Sequence, residues 1–126
     1  MKLLLDTHVL IWALSDPAQL PDALRAAMEE PSNVVYVSAA SVWEIAIKAA
    51  IGKIDFAAED LRGAIAEIGF LELPVTVEHA SAVRGLPRHH RDPFDRMLAV
   101  QSSIEKLTLI TKDPVFTLYG TNTMWQ

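Results

Sequence analysis

Lys2-Leu3-Leu4-Leu5-Asp6-Thr7-His8 is the stretch on which the fold turns: an apolar, β-like run that stops at an acid and passes into the helix-compatible His8–Leu14. The same alternation recurs along the chain. Val34–Val37 is β-branched and aromatic and reads as a buried strand. Phe70–Val75 is a short strand weakened by Pro74, Leu107–Ile110 is another, and Thr123–Trp125 is a last one. Helical stretches separate them. Pro21 leads into Asp22–Glu30, and Ser38 is an N-cap for a helix to about Ile51, with Gly52 as the stop. Glu59–Ile68 is amphipathic and ends at Gly69, Thr76 caps a helix through Val83, and Asp92-Pro93 opens one to about Lys106. Pro114–Leu118 adds a turn or two. Strands alternating with helices predict an α/β domain over residues 1–126, three-layered, with a mostly parallel central sheet. There is no linker, repeat or low-complexity stretch.

Composition narrows the chemistry. Half of the 126 residues are apolar, enough to bury a core. The absence of cysteine excludes a disulfide framework, thiolate metal sites and a cysteine nucleophile. The opening apolar run is too short for a signal peptide and no segment approaches a membrane span, so a cytoplasmic location is expected. The net charge of −5 speaks at first sight against a nucleic-acid partner. Its distribution softens that objection, because Arg84, Arg88, Arg91 and Arg96 cluster with His89 and His90.

In open α/β sheets, ligands sit outside the carboxyl ends of the strands. Asp6 and Asp113 fall there, after the first strand and after Leu107–Ile110. Each also has an ordinary reading as a cap. Glu44 fits a capping box with Ser41 and an i,i+4 pair with Lys48. Its neighbours Val42, Trp43, Ile45, Ala46, Ile47, Ala49, Ala50 and Ile51 predict a largely buried helix, on which Ser41, Glu44 and Lys48 alone form a polar stripe. A buried carboxylate there needs a partner, either Lys48 or a metal. Asp92 reads as the cap beside Pro93. Asp95, at the third helical position, points away from the stripe of Phe94, Met97, Leu98 and Ile104, together with Arg96 and Ser102. Four converging carboxylates repel unless some stay protonated or a hard divalent ion such as magnesium joins them. Trp12 and Trp43 read as core residues.

The ordered blocks Leu-Leu-Asp6-Thr-His, Ser38-Ala-Ala-Ser-Val-Trp-Glu44-Ile-Ala-Ile-Lys48, His90-Arg-Asp-Pro-Phe-Asp95-Arg-Met-Leu-Ala-Val-Gln101 and Leu-Ile-Thr111-Lys-Asp113 resemble the PIN-domain nucleases, and within them the VapC-type toxins of toxin–antitoxin pairs. The resemblance covers essentially the whole chain. It places the family's acids on Asp6, Glu44, Asp95 and Asp113, with Thr111 as the polar companion of the last. It implies Mg2+- or Mn2+-dependent cleavage of RNA, a small cognate antitoxin as inhibitor, and a homodimer.

On this reading Asp6 and Asp95 are the main metal ligands, and Glu44 and Asp113 orient bound water or hold a second ion. Arg88, Arg91 and Arg96 are the candidate RNA-backbone contacts. His89 and His90 are poor candidates for an essential base. A dehalogenase-like phosphatase would need an acid at His8, and a phosphoacceptor receiver would need one where Val37-Ser38-Ala39 stands. A PIN-like module that binds RNA or protein without cutting is the remaining alternative.

Overall fold

The computed structural model describes residues 1–54 and 60–125. Strand β1 (Lys2–Leu5) lies at the centre of a five-stranded sheet with β2 (Val34–Ser38) and β3 (Leu71–Leu73) on one side. Strands β4 (Thr108–Ile110) and β5 (Thr123–Met124) lie on the other, giving the order β3-β2-β1-β4-β5. Every pairing is parallel, with Leu5 opposite both Val37 and Ile110. The leucine run therefore needs no polar alternation, because both of its faces are covered. Leu3 and Leu5 pack on one side with Val9, Leu10, Leu24, Ile45 and Ile65. Leu4 packs on the other with Leu98, Leu107, Leu109 and Phe116.

These two cores define the helical layers. Helices α1 (Thr7–Ser15), α2 (Asp22–Glu29), α3 (Ala39–Ala50) and α4 (Leu61–Ile68) contribute to the first. Helix α6 (Pro93–Glu105) and the 3-10 segment Pro114–Tyr119 contribute to the second, with α5 (Val77–Ala82) packed on α6. The architecture is the three-layer α/β/α arrangement expected. Several boundaries follow the local chemistry. Ser38 accepts from the Ala40 N–H, Asp92 from the Phe94 and Asp95 N–H groups, and Gly69 ends α4 in the left-handed conformation. Glu59, the expected start of the fourth helix, lies outside the described residues, and Asp60 caps α4 through the Gly63 N–H. Among the described residues, no helix is long and apolar enough to cross a membrane.

Three expectations are corrected. Helix α3 is not largely buried: Ala46, Ile47, Ala49 and Ala50 face outward, and Trp43 is 63 % exposed rather than in the core. It is the polar stripe that turns inward, Ser41 and Glu44 being buried, because hydroxyl and ammonium partners meet it there. Ser41 consequently sits inside the helix and forms no capping box, Ser38 being the cap; a capping box does form at Thr76 and His79. On α6, Ser102 is buried instead of facing outward with Asp95 and Arg96, since Leu98–Ser102 are covered between the sheet and the neighbouring helices.

One polar tie fixes α6 against the sheet. Fully buried Gln101 accepts from the Ser38 hydroxyl at 2.6 Å and donates to the Pro74 carbonyl at 3.3 Å, joining the end of β2, the β3–α5 connection and α6. Removing it leaves the fully buried Ser38 hydroxyl without its acceptor. Gln101→Ala is expected to cost about 1–3 kcal/mol, lowering the urea midpoint with an unchanged slope. Exposed Ser103→Ala serves as the control and should move the stability by less than about 0.5 kcal/mol.

Candidate functional site

The chain reverses its direction across the sheet at β1, whose neighbours are β2 and β4, so the crevice between the carboxyl ends of β1 and β4 is the topological switch point. Asp6 follows β1 directly. Its N–H bonds the Ile110 carbonyl of β4, its Oδ1 accepts from the Val9 N–H at 3.0 Å, and its Oδ2 accepts from the Thr111 hydroxyl at 2.6 Å. One carboxylate thus caps α1 and joins two strand ends. It is only 8 % exposed, and burial raises its pKa against the opposing pull of those hydrogen bonds.

Glu44 approaches from α3 and is 4 % exposed. Thr7 donates its hydroxyl to Oε1 at 2.6 Å, with Ser41 Oγ 3.1 Å from the same hydroxyl oxygen. Lys48 Nζ reaches Oε2 at 2.6 Å, and this bond raises the lysine pKa. Asp95 comes from the first turn of α6, where Asp92 holds its backbone N–H. Asp113, half-buried after β4, caps the following 3-10 segment by accepting the Val115 N–H and donates its own N–H to the Thr111 hydroxyl oxygen at 3.1 Å.

All four predicted acids, with Asp92, line one cleft of about 350 Å³ together with Thr7, Trp12, Lys48 and Lys112. The crowding has an electrostatic signature. Burial, then the negative charges of Asp92, Asp6 and Glu44, push the Asp95 pKa up to about 7 against the pull of nearby His90. Ligand atoms of His90, Asp95 and Asp113 lie within 4.8 Å of one another. The donor set is dominated by carboxylate oxygens and lacks sulfur, which fits a hard divalent ion such as Mg2+ or Mn2+. Asp95 and Asp113 are grouped closely enough to share one ion, with Asp6 and Glu44 lining the same cleft.

Beside the cleft, Arg88, His90, Arg91 and Arg96 line an open hollow of about 640 Å³. The three arginines do not present themselves alike. The Arg96 guanidinium donates to the carbonyls of Pro87 at 2.9 Å, Leu86 at 3.2 Å, Val83 at 3.3 Å and His90 at 3.4 Å, so it braces the basic loop from within. Arg88 and Arg91 are exposed. The inward role of Thr7 and the position of His90 against Asp95 are not marked in the sequence. Thr7 stands in the first quoted block without a feature that marks it, and His90 reads only as a member of the basic segment and a poor candidate for a base.

The PIN domain family model matches residues 3–121. The chain belongs to the PIN-domain family. Among curated proteins, no sequence matches it. Its PIN fold is shared over the full length with a chain of VapBC2 from Rickettsia felis, in a complex bound to a promoter DNA fragment, at TM-score 0.72 and 15 % identity, covering 100 % of both chains. A chain of DNA-bound VapBC from Salmonella typhimurium matches at 0.70 and 20 %, covering 100 % of this chain and 99 % of that one. A chain of FitAcB from Neisseria gonorrhoeae matches at 0.65 and 23 %, covering 97 % and 96 %.

The elevated pKa of Asp95 has a consequence for the metal-free PIN domain. With the folded pKa near 7 and the unfolded value near 3.8, the folded state holds the extra proton between those limits. The stability contributed by this carboxyl is therefore full below about pH 4 and lost as the pH rises through about 7. In EDTA at pH 8, Asp95→Asn is expected to melt several degrees above the wild type, on the order of the shift that about 1 kcal/mol produces. At pH 4–5 the difference should shrink towards zero. A scan of melting temperature against pH for both proteins checks it.

Proposed function

We propose that this PIN domain is a ribonuclease dependent on Mg2+ or Mn2+ and the toxin of a toxin–antitoxin pair. The observation that carries the reading is the convergence of Asp6, Glu44, Asp95 and Asp113, from two strand ends and two helices, in one cleft at the switch point of the sheet. An ion bound there supplies Lewis-acid stabilisation of a scissile phosphate and a more acidic water. The protein's part is to hold it. Asp6 and Asp95 are the principal ligands in this reading, with Asp6 kept rigid by Thr111 and the Val9 N–H. Glu44, fixed by Thr7 and Lys48, and Asp113 orient water at the ion or complete a second position. Arg88 and Arg91 would meet the RNA backbone, while Arg96 shapes the loop that carries them.

Partners belong to the same reading. A cognate antitoxin and a homodimer both need apolar contact surface, and Trp43, Ile47 and Ile51 form an exposed stripe on α3 and its C-terminal end, with Phe94 against Trp43 at a centroid distance of 5.2 Å. The structural neighbours come from VapBC and FitAcB, two of them bound to DNA, which favours an assembly of this kind. A cytoplasmic site of action accords with a target RNA.

Two measurements test the chemistry. Millimolar Mg2+ or Mn2+ is expected to raise the melting temperature of the wild type relative to EDTA, by mass action on the folded state. RNA cleavage is expected to vanish in EDTA and in Asp95→Asn, while Asp92→Asn, whose side-chain oxygen can still accept the Phe94 and Asp95 N–H groups, keeps cutting at a stability cost below about 0.5 kcal/mol. Cleavage that persists in EDTA would overturn the metal-dependent mechanism. An ion-bound protein that cuts no RNA in any assay would leave a silent binding module in its place.

A further inference from the structure

The Asp95 carboxylate is not left to find its own orientation. His90 stands between the acidic cleft and the arginine-lined hollow, its side chain 26 % exposed. Its Nε2 lies 2.8 Å from Asp95 Oδ2 and 3.8 Å from Asp113 Oδ2. Its Nδ1 accepts the Asp92 N–H at 3.3 Å, an arrangement that assigns the ring proton to Nε2 and makes Nε2 the donor to Asp95. The backbone behind the ring is held as well, since the His90 carbonyl is one of those gripped by Arg96. Asp95 and Arg96 are adjacent on α6, so the helix that presents the carboxylate also anchors the loop that orients it.

We propose that His90 is a positioning residue for the metal centre: its Nε2–H holds Oδ2 of Asp95 so that the remaining oxygen is presented to the divalent ion. The inference rests on the metal-binding reading above. Carboxylates that bind metals are commonly fixed by a hydrogen bond from outside the coordination shell, and loss of such a partner weakens metal affinity by about 10–100-fold. The need is acute at Asp95. The charges of Asp92, Asp6 and Glu44 all act on this carboxylate, and no other side-chain donor among the described residues bonds it. A neutral imidazole suffices for the role, because a single N–H donates the bond.

The test is Mn2+ binding to the full chain, read by electron paramagnetic resonance of free and bound Mn2+ without RNA. His90→Ala is expected to weaken binding by about 10–100-fold. His90→Gln, whose side-chain amide N–H can stand near the Nε2 position, is expected to recover most of that loss. His89→Ala is expected to change nothing, since His89 packs against Tyr119. His90→Leu keeps the bulk of the ring should alanine loosen the loop, and it should behave as His90→Ala does. Unchanged binding in both the alanine and leucine variants overturns the proposal, and tighter binding overturns it by showing that the ring competes with the ion. Nitrogen hyperfine coupling to Mn2+ that disappears in His90→Gln also overturns it, because the ring would then be a ligand. A wild type that binds no Mn2+ removes the metal reading itself along with this proposal, whereas normal wild-type binding indifferent to position 90 removes the positioning role alone.

Discussion

Everything at the switch point depends on a strand that has no solvent face and ends on a carboxylate. Leu3, Leu4 and Leu5 are completely buried, so β1 cannot slip without exposing a leucine or burying Lys2. That rigidity is delivered to Asp6, the next residue, which is held to β4 by its own N–H and by the Thr111 hydroxyl. The carboxylate of Asp6 is thereby placed by the core of the protein and not by a mobile loop. Glu44 and Asp113 are tied to the same strand ends. Thr7, in the first turn of α1, fixes Glu44, and Thr111 receives the N–H of Asp113.

A cluster held this firmly opposes its own charge. Surface acids can turn away from one another, but Asp6 and Glu44 are buried and bonded on both oxygens. The strain falls on Asp95, which stands at the head of a helix with fewer restraints, and burial with neighbouring charge moves its proton affinity towards neutrality. Lys48 and His90 relieve part of the repulsion from opposite sides, the first through Glu44 and the second through Asp95. Sites that combine rigid carboxylates with an excess of negative charge are suited to capture a cation, because the fold has already met the cost of bringing the ligands together.

Much of this organisation was legible in the residues themselves. The unbroken apolar runs of β1 and β4, the β-branched Val34–Val37, and caps such as Ser38, Thr76, Asp92 and Gly69 mark the elements locally, because strand burial and helix ends are decided by nearby side chains. The order of the elements then puts Asp6 and Asp113 at neighbouring strand ends. Helix α3 could not be oriented in that way. Its sequence offers a broad apolar surface and a narrow polar stripe, and burial of the apolar side is the default for a lone helix. Which side faces the sheet depends on Thr7, more than thirty residues away, whose hydroxyl makes an inward Glu44 tolerable. His90 is illegible for the same reason: its weight comes from a through-space distance to Asp95 that the loop and Arg96 create. Arg96, grouped in sequence with Arg88 and Arg91, differs from them only through carbonyls that the fold gathers around it.

The bond between Thr111 and Asp6 closes a loop of 105 residues. A contact of that separation cannot form while the chain is still short, and long-range parallel pairing is among the slower events of folding. During synthesis, at about 5–20 residues per second, β1 and its acid emerge well before β4, the strand that completes the crevice. The nascent polypeptide therefore carries Asp6 through the synthesis of the 105 positions that lead to Thr111 without carrying the cleft. Assembly of the site waits on the arrival of β4 and is timed by topology.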